Sequence, residues 1–383
     1  MLLDSFNIAK LPDDTQTLRE QVRSFIEGYE KKVPVIEKSK SWMGVDPDFS
    51  RGLAEKGWLG VSLPTEYGGQ GLDALSRFVI VEELLGHSMP VGAHWIADRQ
   101  SGPLIMKYGT ETQKRYFLPK ICAAEAFFCI GMSEPNSGSD LASIHTRAER
   151  TTEGWRLNGQ KIWTTNAHGS HYMIALARTS GSAEDRHSGL SQFVIDLKSP
   201  GIDIRKIRDL TGDHHFNEVF FNDVLLDESS LIGTEGNGWD QVINELAYER
   251  SGPERIYSSI ILCDLWLDFI RERGAPSSSV TKLGEIVARL VVLRHMSITL
   301  ATQMKTGLSP ITEAALVKDL GTELEQDIPT QISNELFRFP HVSSPRSLRG
   351  ALSYISQISP TFSLRGGTRE ILRGMIARDL GLR

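Results

Sequence analysis

The sequence predicts an α+β multidomain fold in which two helical regions flank a compact antiparallel β domain along the chain. Apolar residues recur at helical spacing before about residue 125, alternate as in strands between about 126 and 235, and return to helical spacing from Trp239 onward. We therefore expect an N-terminal α-helical domain at residues 1–125, a middle β domain at 126–235 and a C-terminal helical domain at 236–383.

The N-terminal third shows three helical segments separated by turn formers. In DDTQTLREQVRSFIEGYEKK, the residues Val22, Ile26 and Tyr29 fall on one helix face. The stretch GWLGVSLPTEYGGQGLD interrupts this pattern, because glycine and proline clusters do not fit inside a regular element. Helical periodicity resumes in LSRFVIVEELLGHS and in TETQKRYFLPKICAAE.

The middle region contains short segments that alternate apolar and polar residues. In GWRLNGQKIWTT, Asn158-Gly159 predicts a two-residue hairpin turn, because this dipeptide tolerates positive φ angles. Further strands are expected in HYMIALART, LSQFVIDL, GIDIRKI and FNEVFFNDV. Several short strands joined by turns predict a compact antiparallel β domain.

Composition and charge exclude several classes of protein. The 383 residues are 40% hydrophobic and 23% charged, with a formal net charge of −6, so binding to nucleic acid is not expected. We expect no membrane anchor or signal peptide, and a cytoplasmic location with reduced cysteines, since Cys122, Cys129 and Cys263 show no paired spacing. No metal site is expected, because the pairs His168/His171 and His214/His215 lack a third ligand at metal-site spacing.

Five ordered motifs resemble the successive signatures of the acyl-CoA dehydrogenase family. They are GWLGVSLPTEYGGQGLD, MSEPNSGSDLASIHTRAER, GWRLNGQKIWTTNA, HHFNEVFFNDV and GTEGNGWDQVINELAYER, between about residues 55 and 255. The C-terminal GGTREILRGMIARDLGL is similar to the closing flavin-contact segment of that family, with more departures.

The resemblance implies a helical N-terminal domain, a middle β-barrel and a C-terminal four-helix bundle, assembled as a homotetramer. It also implies FAD lying between barrel and bundle, an acyl-CoA substrate, and an electron-transfer flavoprotein as electron acceptor. No G-x-G-x-x-G motif joins a strand to a helix, so a Rossmann-type site is not expected to bind this flavin.

The resemblance also assigns residues that contact the cofactor and the substrate. Met132 and Ser133 match positions against the flavin ring, and Trp163 and Thr165 match the residues that cover its other side. Gly367 and Thr368 match the backbone that packs beside the flavin. Ser139 matches the segment along which the CoA arm runs, whereas Asp140 is expected to have a structural role.

The catalytic base is expected to be Glu249. In many family members the base is a Glu near the C-terminus, but the matching residue here is Gly366, which cannot accept a proton. A branch that includes isovaleryl- and long-chain-type enzymes carries the base directly before an Arg on the first long helix of the bundle, which matches Glu249-Arg250. The backbone N–H of Gly366 is expected to bind the thioester carbonyl, and Arg250 to contact substrate.

Helical periodicity supports this assignment. Trp239, Val242, Ile243 and Leu246 define the apolar stripe of this helix. Arg250 falls near the middle of the stripe and Glu249 at its edge, whereas Glu245 lies further round. An ion pair inside a helical bundle is the alternative explanation for these charges.

Three departures from the family pattern leave alternatives open. Arg365 stands where relatives with a Gly-Gly-Thr segment commonly have Glu, and it would meet a polar acyl tail, FAD phosphate or solvent. The segments that hold the adenine end of FAD in relatives are not recognisable, and Gln326 is a guess for the adenine contact. An acyl-CoA oxidase, a flavin monooxygenase, or a subunit of a mixed tetramer therefore remain alternatives.

Overall fold

The structure is a computed structural model that describes residues 9–250, 252–274, 276–338 and 344–382, with the side chains of residues 246–249 outside the description. Within these ranges the helices are α1 (Thr15–Glu30), α2 (Val35–Lys38), α3 (Pro47–Glu55), α4 (Ala74–Gly86), α5 (Gly102–Tyr108), α6 (Glu111–Cys122), α7 (Gly238–Arg250), α8 (Ile260–Arg273), α9 (Ser277–Lys305), α10 (Ile311–Phe337), α11 (Arg346–Ile358) and α12 (Arg369–Asp379).

The strands all belong to one sheet. They are β1 (Phe128–Gly131), β2 (Arg147–Thr151), β3 (Gly154–Thr165), β4 (Tyr172–Arg178), β5 (Leu190–Asp196), β6 (Ile202–Ile207), β7 (Phe216–Asp227) and β8 (Leu231–Ile232). Their order is β6-β7-β3-β2-β4-β5-β8, with β1 paired to β4. The sheet is mainly antiparallel, as predicted, but β1 and β2 each pair with β4 in parallel.

The described elements divide into two compact units. One, here called the helical unit, contains Met1–Val45, Asp73–Val91 and Glu249–Arg383. The other, here called the sheet unit, contains Asp46–Leu72 and Gly92–Tyr248. The helical unit therefore draws on both ends of the chain. The domain limits expected from the sequence stay a prediction.

The sheet unit is built around a core of inward-facing strand residues. Trp155, Phe193 and Phe221 are its largest members, and all are almost completely buried. A smaller cluster joins Leu176 and Leu190 to Val242, so the first turns of α7 pack on the sheet. The apolar side chains of the strands therefore form both the core of the sheet unit and the surface on which the start of α7 packs.

The helical unit is held partly by contacts between α4 and α9. Leu75, Phe78 and Val79 of α4 pack against Ile298 and Ala301 of α9. In α1 the residues Val22 and Ile26 are buried, as the periodicity predicted. The helical segments predicted in the first third and the strands predicted in the middle are present.

The prediction of a hairpin turn at Asn158-Gly159 is wrong. Strand β3 continues through both residues, and its register with β7 shifts there, which is a β-bulge. Asn158 uses its side chain to bond Asp223 at 2.8 and 3.0 Å, and a Cβ on Gly159 would lie 2.5 Å from Thr146 Oγ1. The glycine therefore permits close backbone approach, and the turn between β2 and β3 lies instead at residues 152–153.

Candidate active site

The first group of predicted site residues lies in the sheet unit, where two segments distant in sequence are bonded together. Ile162 N–H donates to the carbonyl of Ser133 at 2.9 Å, and Lys161 Nζ donates to the carbonyl of Met132 at 3.0 Å. The structure therefore brings Met132 and Ser133 beside the end of β3, which carries Trp163.

Trp163 is the most unusual member of this group. Its φ angle is 58°, a left-handed conformation that bulky residues rarely adopt. The register between β3 and β7 shifts between Lys161 and Thr164, so Trp163 lies on a second bulge. Its indole is 57% exposed, although it contacts the Phe216 ring edge-on at 6.1 Å. The strand thus presents a large aromatic surface outward at a strained position.

Strand β3 also carries one partner of a buried ion pair, two residues before Trp163. Lys161 Nζ is 2.8 Å from Glu134 Oε1, and Lys161 is completely buried. Glu134 also accepts the N–H groups of His145 and Thr146 at 2.7 and 2.9 Å. Burial lowers the pKa of Lys161 to about 8, although the Glu134 charge opposes this shift. Burial raises the pKa of Glu134, but the Lys161 charge and the hydrogen bonds from Lys161, Thr146 and His145 together hold that pKa below its usual value.

The sequence reasoning missed this pair, although Glu134 directly follows Met132 and Ser133 in the MSEPNSGSD motif. The remaining predicted residues of the sheet unit lie nearby along the chain. Thr165 is half-buried and pairs with Phe216 on β7, and Ser139 is exposed. Asp140 is exposed and pairs with Arg186 at 2.9 Å, and the structural role expected for it stays a prediction.

The second group lies in the helical unit, around the end of α7. Glu249 is in the last turn of α7, but its side chain falls outside the described residues. Arg250, the next residue, is only 3% exposed. Its Nε donates to the carbonyl of Gly366 at 2.9 Å, and its Nη1 lies 3.4 Å from Met375 Sδ. The end of α7 is therefore attached to the turn that contains Gly366.

That turn consists of two successive left-handed glycines. Gly366 has φ 65° and Gly367 has φ 96°, conformations that favour glycine. Lys318 of α10, which is completely buried, donates through Nζ to the carbonyl of Gly367 at 2.9 Å. Thr368 follows as the N-cap of α12, and its Oγ1 accepts the Ile371 N–H at 3.4 Å.

Two residues left open by the sequence have internal contacts. Arg365 donates to Ser258 Oγ at 2.8 Å and pairs with buried Glu325 at 3.3 Å, while its guanidinium stacks on Trp42 at 4.6 Å. These contacts lie inside the helical unit, so Arg365 is not the solvent-facing residue that was one of the alternatives. Gln326 Nε2 donates to the carbonyl of Ser359 at 2.9 Å.

The stripe predicted for α7 was partly wrong. Val242 is buried, but Ile243 is 38% exposed, and Glu245 is buried although it was placed further round. Glu245 Oε2 accepts a hydrogen bond from Gln192 of β5 at 2.8 Å. One oxygen of a carboxylate that periodicity alone placed outside the apolar face thus has a polar partner on the sheet.

Two histidines that raised the question of a metal site have internal partners. His168 Nδ1 lies 2.9 Å from Asn217 Oδ1, and His171 Nδ1 accepts the Phe127 N–H at 3.0 Å. Among the described residues, no three histidines, cysteines or carboxylates are grouped so that they could hold a metal ion. No helix in those ranges has both the length and the apolar character of a membrane span.

Comparison with known proteins identifies the family. The model of the acyl-CoA dehydrogenase N-terminal domain matches residues 12–125, and that of the middle domain matches residues 129–224. The chain belongs to the acyl-CoA dehydrogenase family. It is therefore an oxidoreductase of acyl-CoA metabolism, as the five motifs predicted.

Curated relatives and solved structures agree with this family. Acyl-CoA dehydrogenase IpdE1 of Mycobacterium tuberculosis is 35% identical over 364 residues, which cover 91% of this chain and 89% of that protein. The Tcur3481-Tcur3483 steroid ACAD matches with a TM-score of 0.86 at 26% identity, covering 98% of both chains. The ChsE4-ChsE5 complex of M. tuberculosis matches with a TM-score of 0.82 at 27% identity, covering 98% of this chain and 99% of that chain.

Acyl-CoA dehydrogenases are flavin enzymes, and the described residues fit such a group. An exposed indole held on a bulge offers a flat face for a planar ring. The segment of Met132 and Ser133 is fixed beside it by two hydrogen bonds.

Proposed function

We propose that this chain is an FAD-dependent dehydrogenase that desaturates an acyl-CoA thioester between its α and β carbons. The reaction needs a base for the α-proton, a donor to the thioester carbonyl, and an acceptor for the electrons of the β-carbon. FAD, when bound, would accept the hydride from the β-carbon. The residues of the chain supply the base and the donor.

The contact between Arg250 and Gly366 carries this proposal. It attaches the end of α7, where Glu249 lies, to the turn that replaces the family's other base position. Glu249 removes the α-proton, and the Gly366 N–H binds the thioester oxygen as negative charge develops on it. Because Gly366 has no side chain, the carboxylate must come from another residue, and Glu249 is the residue that the motif comparison selects.

The other contacts in this proposal are those that the family resemblance implies. Met132, Ser133, Trp163, Thr165, Gly367 and Thr368 bind FAD. Ser139 contacts the CoA arm. Arg250 contacts the substrate beside the Gly366 turn, to which it is hydrogen-bonded. The exposed indole of Trp163 is the described feature that best supports a ring-binding role.

We propose an electron-transfer flavoprotein as the electron acceptor and a tetramer as the assembly. A homotetramer is the form that the resemblance implies. A mixed tetramer with a related subunit is the second candidate, because two of the matching solved structures are named for two components. The name of the first of these, a steroid ACAD, motivates including steroid-derived thioesters among the substrates to test.

The test is to purify the chain alone, record its visible spectrum, and add acyl-CoA thioesters in the absence of oxygen. The panel holds short, branched, long-chain and steroid-derived acyl groups. Bleaching of the flavin band by one of them supports the proposal, and slow reoxidation by air favours a dehydrogenase over an oxidase. A flavin band that no thioester bleaches contradicts the proposal. A chain that binds no flavin alone but binds it with a coexpressed related subunit supports the mixed tetramer.

A further inference from the structure

Two buried cations hold the Gly366-Gly367 turn through its carbonyl groups. Arg250 Nε lies 2.9 Å from the Gly366 oxygen, and Lys318 Nζ lies 2.9 Å from the Gly367 oxygen. Arg250 is 3% exposed and Lys318 is not exposed at all. Burying a charge costs free energy unless the charge is well partnered. Directing two such charges at successive backbone carbonyls is therefore a specific feature of this turn.

The turn depends on contacts from outside itself. Glycine has more accessible backbone conformations than any other residue, so two successive glycines have little local preference for φ 65° and φ 96°. A Cβ on Gly367 would lie 3.2 Å from Arg250 Nη2, which shows how closely the guanidinium packs beside the backbone. The two cations therefore supply contacts from outside the turn that its own glycines cannot provide.

Helix α10 fixes both the turn and the helix that follows it. Lys318 holds the turn, while its neighbour Asp319 accepts hydrogen bonds from Arg369 at 2.6 Å and from Arg373 at 3.1 Å on α12. Consecutive residues of one helix therefore hold the Gly367 carbonyl and the first turns of α12. Such a rigid support is what a precisely placed backbone donor requires.

Holding the carbonyls also orients the amides. A trans peptide directs its N–H opposite to its C=O, so the N–H groups of Gly367 and Thr368 point away from the two cations. The Gly366 N–H belongs to the preceding peptide, and the torsions of Gly366 set its direction relative to the held Gly366 carbonyl. We propose that Lys318 is a positioning residue that, together with Arg250, orients the Gly366 N–H toward the thioester carbonyl.

This inference rests on the proposed function, and its first test does not measure activity. Lys318→Met keeps most of the side-chain volume and removes the ammonium group. Lys305→Met is the matched control, because Lys305 is partly exposed and pairs with Asp73 at 2.8 Å. In the purified full-length protein, amide hydrogen exchange at residues 364–368 should accelerate by about tenfold in Lys318→Met, as expected on losing a charge-assisted hydrogen bond. The control should leave exchange there unchanged.

The second test separates positioning from simple stability. With the thioester that reduces the wild-type flavin fastest, Lys318→Met should slow flavin reduction by roughly 10- to 100-fold, the effect of a small misplacement of a reacting group. FAD content should be retained, and the Kd of the thioester should stay within about threefold, because a group that acts in the transition state affects rate more than binding.

Gly367→Ala provides an independent variant if Lys318→Met does not fold. Its Cβ would press on Arg250 Nη2 and displace the turn without removing a charge, so the same faster exchange and slower reduction are expected. Unchanged exchange in both variants, or faster exchange with an unchanged reduction rate, would overturn the inference. A wild-type protein that no thioester reduces would instead refute the proposed function, and the positioning role with it.

Discussion

Replacing Lys161 by Met should destabilise the sheet unit strongly, because it leaves Glu134 as a buried charge without its cation. The two side chains are 2.8 Å apart, and both are buried. Lys161 also donates to the carbonyl of Met132, so the same substitution releases the segment predicted to contact the flavin. Stability and cofactor binding should therefore change together.

The expected magnitude follows from what Glu134 retains. Removing one partner of a buried ion pair typically costs about 3–5 kcal/mol. Glu134 keeps the N–H groups of His145 and Thr146 at 2.7 and 2.9 Å, so we expect the lower end, about 3 kcal/mol. For a unit of this size, roughly 2–4 °C per kcal/mol gives a fall in Tm of about 6–12 °C.

The assay is thermal unfolding of the purified protein, with FAD content measured on the same samples. Lys198→Met is the matched control on the exposed surface, and it should change stability by no more than about 0.5 kcal/mol. The double variant Lys161→Met with Glu134→Gln should recover at least about 1 kcal/mol, because it removes the unpaired charge. A Tm for Lys161→Met equal to that of the control would refute this account of the pair.

Three further substitutions test other parts of the structure. Burial raises the pKa of Asp319, but the hydrogen bonds and charges of Arg369 and Arg373 together hold that pKa below its usual value, so the stabilising contribution of Asp319 is present above the usual carboxyl pKa and is lost as pH falls through the lower folded-state pKa. Asp319→Asn should therefore make stability depend less on pH in the acid range, and an unchanged dependence would contradict this. Trp163→Ala should leave Tm nearly unchanged because the indole is exposed, yet weaken FAD binding by about tenfold in a titration of the apoprotein; unchanged affinity would exclude ring contact. Gly366→Ala should cost about 1–2 kcal/mol in equilibrium unfolding because φ is 65° there, and no loss of stability would mean that the turn adopts another conformation.

The sequence was sufficient for features that depend on local pattern. Buried Val22 and Ile26 follow from helical spacing, and the strands that carry Trp163 and Phe216 follow from alternation. The motifs also grouped the segment at Met132 with the end of β3; the structure bonds these two segments together, while their contact with a flavin stays a prediction.

Features that depend on long-range contacts were not predictable in the same way. Lys161 is buried and pairs with Glu134, 27 residues earlier, so neither its burial nor its partner follows from the local strand pattern. The role of Lys318 is not visible in its local sequence, because the carbonyl that it bonds belongs to Gly367, 49 residues later. Asn158 with Gly159 failed as a turn signal since bulges and turns favour the same residues.

The most direct test of the proposed function compares two carboxylates of α7. Glu249→Gln should retain FAD and reduce the flavin at least ~10³-fold more slowly with the best thioester, because a positioned base contributes about 10²–10⁴-fold. Glu245→Gln, a buried residue bonded to Gln192, is the control and should keep a rate within about tenfold of the wild type. Near-normal flavin reduction by Glu249→Gln, or an equal loss in both variants, would contradict the assignment of Glu249 as the base.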